Sequence, residues 1–593
     1  MDINQSLKNA TVEAFKEIFD AEIKENVIQI EETNPDFAGD LTIVIFPLLR
    51  YSRRSPEETA NKVGDFIKEK LTEVESFDVV KGFLNLIIAD VYWIKFLKNF
   101  DKNSIINKTT EPKKILVEYS SPNTNKPLHL GHIRNNLIGQ SISKIMDVSG
   151  HKVIQANLIN DRGIHICKSM YAWMKYGKNE TPESTNTKGD HLIGKYYVLF
   201  ETKYKEEVEK LKEKGFLKDE AEQQAESIKG AKKLLQEWER GDDKVIKVWK
   251  KLNNWTCEGF EKTYKRMGIS FDKIYLESDT YLKGKEIVIE GLDKKLFFRK
   301  KDASVWCDLK DKGLDEKLLL RSDGTSVYIT QDIGTAQIKY DDYKADKSVY
   351  IVGNEQIYHF DVLKLILQKL DMPYADTIFH LPYGMVDLPE GKMKSREGKV
   401  VDADDLMDEM TETAKNYIID SGKVDDLAVD EIKKLSELIG LGALKFFILK
   451  TDIKKNITFN PKESIDFQGH TGPFVQYSYA RIKSILRKAK ISDSEKPDFN
   501  ENVSLQEIEK SLLRKVHNLN KSISDAEKEF DPSVIANYVF QLAKMYNKFY
   551  HEIHILKEKD EELKNFRIQL SIAVSEVIKK MMSLLGIDVP EKM

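Results

Sequence analysis

The stretch from Ile115 to Ile159 constrains the fold of this chain most. It opens on a short apolar strand, Ile115-Leu116-Val117-Glu118-Tyr119, and passes through a loop rich in turn residues. An amphipathic helix then runs from about Leu130 to Val148 and is closed by Gly150. His151 to Ile159 reads as the next strand. Strand, helix and strand in this order form one βαβ unit, the start of a parallel sheet with a right-handed crossover. The pattern returns later, with a strand at Ser348 to Val352, a helix at Phe360 to Leu370 and a strand at Thr377 to Leu381.

The remaining chain organises around that core. Residues 1–108 mix strands with two helices, Asn9 to Ile23 and Pro56 to Leu71, the second starting on proline. Val79 to Ile88 reads as one strand interrupted by Gly82, and Lys102 to Lys114 as a linker. Residues 176–272 read as an insertion. Its middle, Lys203 to Lys251, is dense in Glu, Lys and Gln and is expected to be a helical hairpin on the rim of the core. From about Asp402 the pattern is almost wholly helical, with a boundary at Phe459-Asn460-Pro461. The expected divisions are 1–108, 109–401 with the insertion, 402–460 and 461–593. The fold class is α/β: a Rossmann-type parallel-sheet core with an α+β N-terminal domain and an all-α C-terminal domain.

Bulk properties exclude several classes. The longest apolar run near the start, Leu41 to Leu49, is too short to span a membrane, and Pro47 interrupts it. No signal peptide is visible at Met1 to Ser6. Cys167, Cys257 and Cys307 form no CxxC pair, so no metal site is expected and a cytoplasmic location is the default. A net charge of −4 neither favours nor excludes nucleic acid. Arg481 to Lys490 nevertheless holds five basic residues and no acidic one. That run fits either an RNA contact or a solvated helix face.

Two motifs carry the chemistry. His129-Leu130-Gly131-His132 lies where the first strand gives way to a helix N-terminus. There free N–H groups and the helix dipole favour phosphate. His129 and His132 are three apart, share a face, and can donate hydrogen bonds to a polyphosphate. Gly131 removes a side chain where a base would lie against the backbone. Taken alone the pair also fits a surface helix start or a metal pair. About 260 residues later comes Lys392-Met393-Lys394-Ser395-Arg396, on a Gly/Lys-rich loop whose lysines can close over a triphosphate.

In this order, the two motifs resemble the HIGH and KMSKS elements of class I aminoacyl-tRNA synthetases. Residues 115–135, ILVEYSSPNTNKPLHLGHIRN, are more closely similar to arginyl-tRNA synthetases. So are Thr471 to Arg481 and the ending Leu584 to Met593. The resemblance implies an enzyme that activates L-arginine with ATP and transfers it to tRNA(Arg), with magnesium accompanying ATP and a monomeric state. It implies ATP contacts from His129, Gly131, His132, Lys392 and Ser395. The second loop departs from Lys-Met-Ser-Lys-Ser in placing its second lysine one position early, so the roles of Lys394 and Arg396 stay open. Lys126 sits where a compensating lysine is expected, so Lys126 and Lys392 are both assigned to the phosphates, with His129 and His132 as catalytic partners.

A site that reads a guanidinium needs carboxylates in the plane of its fork. By resemblance, Tyr328 and Asp332, four apart on one helical face, contact the guanidinium, and Glu277 adds a further acid. Asn123 and His132 hold the α-amino and carboxylate end, and Gln356 lines the pocket. Lysine, the nearest competitor, would leave part of a buried acidic fork unpaired, a failure worth on the order of 10⁴-fold in discrimination. For tRNA, the resemblance implies contacts from Phe83 and Asn85 at its elbow and from Phe474, Ser478, Tyr550 and Met593 at its anticodon. Aromatics at these spacings also serve as ordinary core. Three other readings compete: a synthetase for cysteine, lysine or glutamate, a small-molecule adenylyltransferase, and an inactive tRNA-binding paralogue. The missing cysteine clusters, the chain length and the intact motif residues argue against them.

Overall fold

The computed structural model describes residues 3–34, 36–101, 106–387, 389, 401–420, 428–492 and 495–593. Its central sheet has five parallel strands: β1 (Lys114–Glu118), β2 (Lys152–Ile159), β3 (Lys273–Leu276), β4 (Lys347–Gly353) and β5 (Ile378–Tyr383). Their spatial order is β5-β4-β1-β2-β3. The winding therefore reverses between β1 and β4. In sheets of this kind a ligand crevice opens at the reversal, beyond the carboxyl ends of the strands.

Helix α1 (Leu130–Val148) crosses that reversal and is buried over most of its surface, polar residues Arg134, Asn135, Asn136 and Gln140 included. The sequence pattern predicts an amphipathic helix; the structure makes it a central one whose polar groups tie other segments together. It can approach the sheet because of Gly139, where a Cβ would lie 2.2 Å from the Tyr119 ring. Three further helices matter for the site: α2 (Glu277–Asp293), α3 (Tyr328–Tyr343) and α4 (Ile357–Lys369). With a small antiparallel sheet of Phe298–Arg299, Val305–Cys307 and Lys317–Leu320, they enclose their own apolar cluster.

Elsewhere the structure corrects the sequence reading in three places. The first helix runs Ile3–Phe19 rather than 9–23. Val79 to Ile88 is not one strand. Val74–Val80 and Phe83–Ile88 form an antiparallel hairpin, turning on Lys81 and Gly82, both at positive φ (50° and 82°). Two left-handed residues in succession make the tight turn whose twist matches paired strands. The insertion is a helical body rather than a hairpin. Helices Ile164–Tyr176, Gly189–Glu213, Glu226–Glu239 and Asp243–Met267 share a core built on Met170, Trp173, Tyr196, Phe200 and Trp238. Its charged residues masked that core, because they occupy the outer faces of the same helices.

The N-terminal unit is a four-stranded antiparallel sheet with helices. It docks on the C-terminal helices through Lys510 to Asp90 (2.6 Å), Arg514 to Asp40, and Tyr92 to His517 (3.2 Å).

Candidate active site

The site begins with how α1 starts. His129 is its N-cap, and His129 Nδ1 accepts from the Gly131 N–H at 3.1 Å. His132 Nδ1 accepts in turn from the His129 N–H at 3.2 Å. Two histidines thus do what a Ser and a Glu do in an ordinary capping box. A neutral imidazole that accepts at Nδ1 carries its proton on Nε2. Burial holds both rings neutral: it pushes His129 down to about 3 and His132 well below its ordinary value, each reinforced by neighbouring positive charge. The result is two fixed Nε2–H donors at a helix N-terminus. Gly131 serves this arrangement directly, since a Cβ there would sit 3.0 Å from the His129 ring.

The loop leading into the cap is strained. Ser120 and Ser121 both have positive φ, 77° and 45°, a conformation that costs of order 1–3 kcal/mol per residue and persists only where neighbours over-determine it. Here the Ser120 N–H donates to Asn135 Oδ1 at 2.5 Å and the Ser121 N–H to Asn157 Oδ1 at 3.1 Å. Asn135 also donates to the Ile351 carbonyl on β4 at 2.7 Å, so one side chain spans the reversal of the sheet.

Arg134 is buried and donates to the carbonyls of Met385 (2.8 Å), Ile453 (3.1 Å) and Lys455 (2.7 Å). Desolvation pushes its guanidinium down to about 10. Met385 immediately precedes the short strand Val386–Asp387, which pairs with Ile457–Thr458. Beyond the second motif, the Leu130 N–H donates to the Val401 carbonyl and the Ala403 N–H to the Leu128 carbonyl. The two chain ends flanking that motif are therefore both held against α1 or its partners. Lys392, Lys394, Ser395 and Arg396 themselves lie outside the described residues.

A second constellation lies at the carboxyl ends of the strands. Asn123 follows β1 and forms a parallel bridge with Asn160, which follows β2. Asp161 and Arg162 come next. Asp161 is buried, accepts from the Ser278 N–H and hydroxyl, and is pushed up by desolvation. Glu277 follows β3 directly. Gln356 precedes α4, which follows β4, and is exposed.

Tyr328 and Asp332 come from the start of α3. That helix reaches Glu277 because α2 and α3 cross in backbone contact: a Cβ on Gly334 would lie 2.3 Å from the Gly284 nitrogen. Tyr328 is 75% exposed, so this end of α3 is open to solvent. Burial pushes the Glu277 carboxyl up to about 7, opposed by Arg162 and reinforced by Asp161 and Asp332.

Several members were not legible in the sequence. Asp332 Oδ2 is 2.6 Å from His359 Nε2. Arg162 stacks on the Tyr281 ring, 3.8 Å from its centroid. Lys188, Asp190, His191, Asp402 and Asp404 form a charged group joining the insertion to the segment after the second motif. His191 lies 3.2 Å from Asp402 and 3.3 Å from Asp404. Hydrogen bonds that it donates to those two carboxylates push His191 up to about 10. Lys188 pairs with Asp190 (3.1 Å) and Asp404, so the cluster already contains its own cations.

The expected RNA contacts differ in exposure. Phe83 is 39% exposed and packs edge-on against Phe46. Tyr550 is 36% exposed, and the Arg481 guanidinium sits 4.8 Å from both its ring and that of Tyr477. Phe474 packs on Phe540, and Phe474 and Met593 line a cavity of about 480 Å³ with Tyr417, Phe467 and Tyr477. Asn85 and Ser478 are buried. Asn85 Oδ1 accepts from Thr42 and the Ser478 hydroxyl accepts from Asn547, so both brace the surface rather than lie on it. Alternation along a strand or helix gives the face a residue occupies, but not which neighbour covers it.

Comparisons with known proteins agree with this architecture. Residues 96–460 match the model for "tRNA synthetases class I (R), catalytic domain". Residues 2–88 match "Arginyl tRNA synthetase N terminal domain", and 475–593 the "DALR anticodon binding domain". The chain is similar over its whole length to the arginine–tRNA ligases of Parabacteroides distasonis and Bacteroides thetaiotaomicron, each 51% identical and each covered in full. Its fold resembles the Thermus thermophilus arginyl-tRNA synthetase, with a TM-score of 0.78, 23% identity and full coverage of both chains. It also resembles the Plasmodium falciparum arginyl-tRNA synthetase, with a TM-score of 0.75, 21% identity and coverage of 100% and 99%. No described helix is long and apolar enough to cross a membrane.

Proposed function

The chain belongs to the arginyl-tRNA synthetase family, and from that premise we propose how its residues divide the work of joining L-arginine to tRNA(Arg) with ATP. The reaction has two steps. An arginine carboxylate oxygen attacks the α-phosphorus of ATP in line, the bond to the β-phosphate oxygen breaks, and arginyl-adenylate and pyrophosphate result. A hydroxyl of the tRNA's terminal adenosine then attacks the adenylate carbonyl and expels AMP. Positioning and charge stabilisation supply most of the catalysis in such transfers.

His129 and His132 present their Nε2–H groups to the phosphates, where negative charge grows in the transition state. Gly131 leaves room for their cap. Lys126 and Lys392 neutralise the departing pyrophosphate, with Ser395 contacting ATP. Magnesium arrives with ATP as part of that substrate. Glu277, Asp332 and Tyr328 hold the arginine guanidinium, Asn123 and His132 its α-amino and carboxylate end, and Gln356 the wall between. The enzyme acts as a monomer.

One observation carries the arginine assignment: two carboxylates at the starts of separate, crossing helices, Glu277 on α2 and Asp332 on α3, act on each other electrostatically. On the RNA side, Phe83 and Tyr550 offer rings to stack on. Phe474 and Met593 line a recess for an unpaired base, while Asn85 and Ser478 hold those surfaces in place.

The test is ATP–pyrophosphate exchange with each of the twenty amino acids, with and without tRNA. Exchange with arginine alone among them is expected. Exchange with another amino acid would overturn the pocket assignment.

A further inference from the structure

Arg162 enters none of the roles above, yet its guanidinium faces Glu277. Its side chain is 10% exposed, with Nη1 3.8 Å from Glu277 Oε1 and Nη2 3.5 Å from Glu239 Oε1. Both separations are too long for the bidentate pairing that a structural Arg–carboxylate clamp adopts. Its Nε has no hydrogen-bond partner among the described residues. Stacking holds it instead: the guanidinium lies 3.8 Å from the Tyr281 ring centroid and 5.2 Å from that of Trp238. Trp238 and Glu239 belong to the insertion. So do Trp249 and Asn253, which donate to the Asp161 carbonyl at 2.6 and 3.1 Å. The insertion therefore grips both residues of the Asp161-Arg162 pair.

We infer that Arg162 is a positioning residue for arginine binding: a cation, stacked on Tyr281 and on Trp238 of the insertion, that favours the carboxylate form of Glu277 before arginine arrives. The inference rests on the reading of Glu277 as a guanidinium contact. A carboxylate that must pair with a guanidinium has to be charged before the ligand arrives. Glu277 faces conditions that favour the neutral acid: burial, Asp161 from the loop after β2, and Asp332 from α3, which is itself paired with His359. Arg162, backed by Glu239, is the opposing charge. Its loose contacts suit this role, because a guanidinium bound bidentately to Glu277 would occupy the oxygens the substrate needs.

The experiment measures kcat/KM for arginine in tRNA-saturated exchange between pH 6 and 9.5. In the unaltered enzyme the profile rises with pH through an inflection near 7 as Glu277 ionises. R162M moves that inflection upward by about one pH unit. The loss is then about fivefold at pH 7 and vanishes above about pH 9. R162K restores the charge and returns the inflection. E277Q raises KM for arginine and abolishes the inflection, and R162M adds no further pH dependence to it.

If E277Q leaves KM for arginine unchanged, the pocket assignment falls and the inference with it. If E277Q behaves as stated but R162M and the unaltered enzyme share one inflection, the inference alone fails. It fails also if R162M lowers kcat/KM equally at every pH, since that marks a packing role.

Discussion

Substituting His129 with Asn separates its two jobs. The ring caps α1 through Nδ1 and is proposed to donate to ATP through Nε2–H. Asparagine is among the best N-cap residues, and its Oδ1 can accept the Gly131 N–H that Nδ1 now accepts. H129N should therefore keep unfolding stability to within about 0.5 kcal/mol, whereas H129A should lose about 1 kcal/mol. Alanine has no donor, and asparagine with Oδ1 held by the Gly131 N–H carries its Nδ2–H₂ on a shorter side chain that ends before the place of the histidine Nε2–H, so neither variant presents a donor where the ring does. Removing one preorganised donor to a developing charge costs about 2.7–4 kcal/mol, or 10²–10³-fold in kcat.

The assays are chemical denaturation for stability, pyrophosphate exchange for the first step and filter binding for tRNA. Both variants should lose exchange alike, differ in stability and bind tRNA as before. Exchange by H129N within threefold of the unaltered enzyme would refute the donor role. Equal stability losses in H129N and H129A would refute the cap.

Other consequences can be checked independently. Both cap histidines are held below the ordinary histidine value of about 6.5, so the unfolded chain binds more protons than the native one once pH falls through that value. Stability should be fully present above about 6.5 and decline toward 3, by up to about 1.4 kcal/mol per pH unit for each histidine, measured by denaturation at stepped pH. R134M removes three hydrogen bonds from a charged donor but also its desolvation cost; a net loss of about 3–5 kcal/mol in unfolding free energy is expected. Lys339 and Glu118 form a buried ion pair beneath the sheet. K339M should cost about 3–5 kcal/mol and the K339M/E118Q double variant markedly less, because the single change strands a buried carboxylate. Y550A should weaken tRNA binding by about 1–3 kcal/mol without altering the melting temperature, since its ring is partly exposed.

Much of the site lay open to sequence reading because it is local. The motif from His129 to His132 places a cap, a dipole and two imidazoles within one turn. The βαβ pattern around it set the direction of the sheet. Tyr328 and Asp332 were legible as a helical pair for the same reason. Arg162, His359 and His191 were not. Each is a lone polar residue in its local sequence, and its meaning comes from a partner 27 to 211 residues away in number: Asp332 for His359, Glu239 and Glu277 for Arg162, Asp402 for His191. The buried state of Asn85 and Ser478 was hidden likewise, since strand and helix periodicity assign a face without saying what packs on it.

The sequence by itself therefore determined the strand–helix–strand core, its parallel crossover and the chemistry available at the start of α1. Those follow from periodicity and turn stereochemistry over a few residues. Tertiary structure alone decided three things: the strand order that reverses between β1 and β4, the crossing of α2 and α3 at Gly284 and Gly334, and the grip of the insertion on Arg162. These depend on close packing between surfaces distant in the chain. Burial there also sets the charge state of His129, His132 and Glu277, because desolvation is a property of the assembled interior and not of any segment.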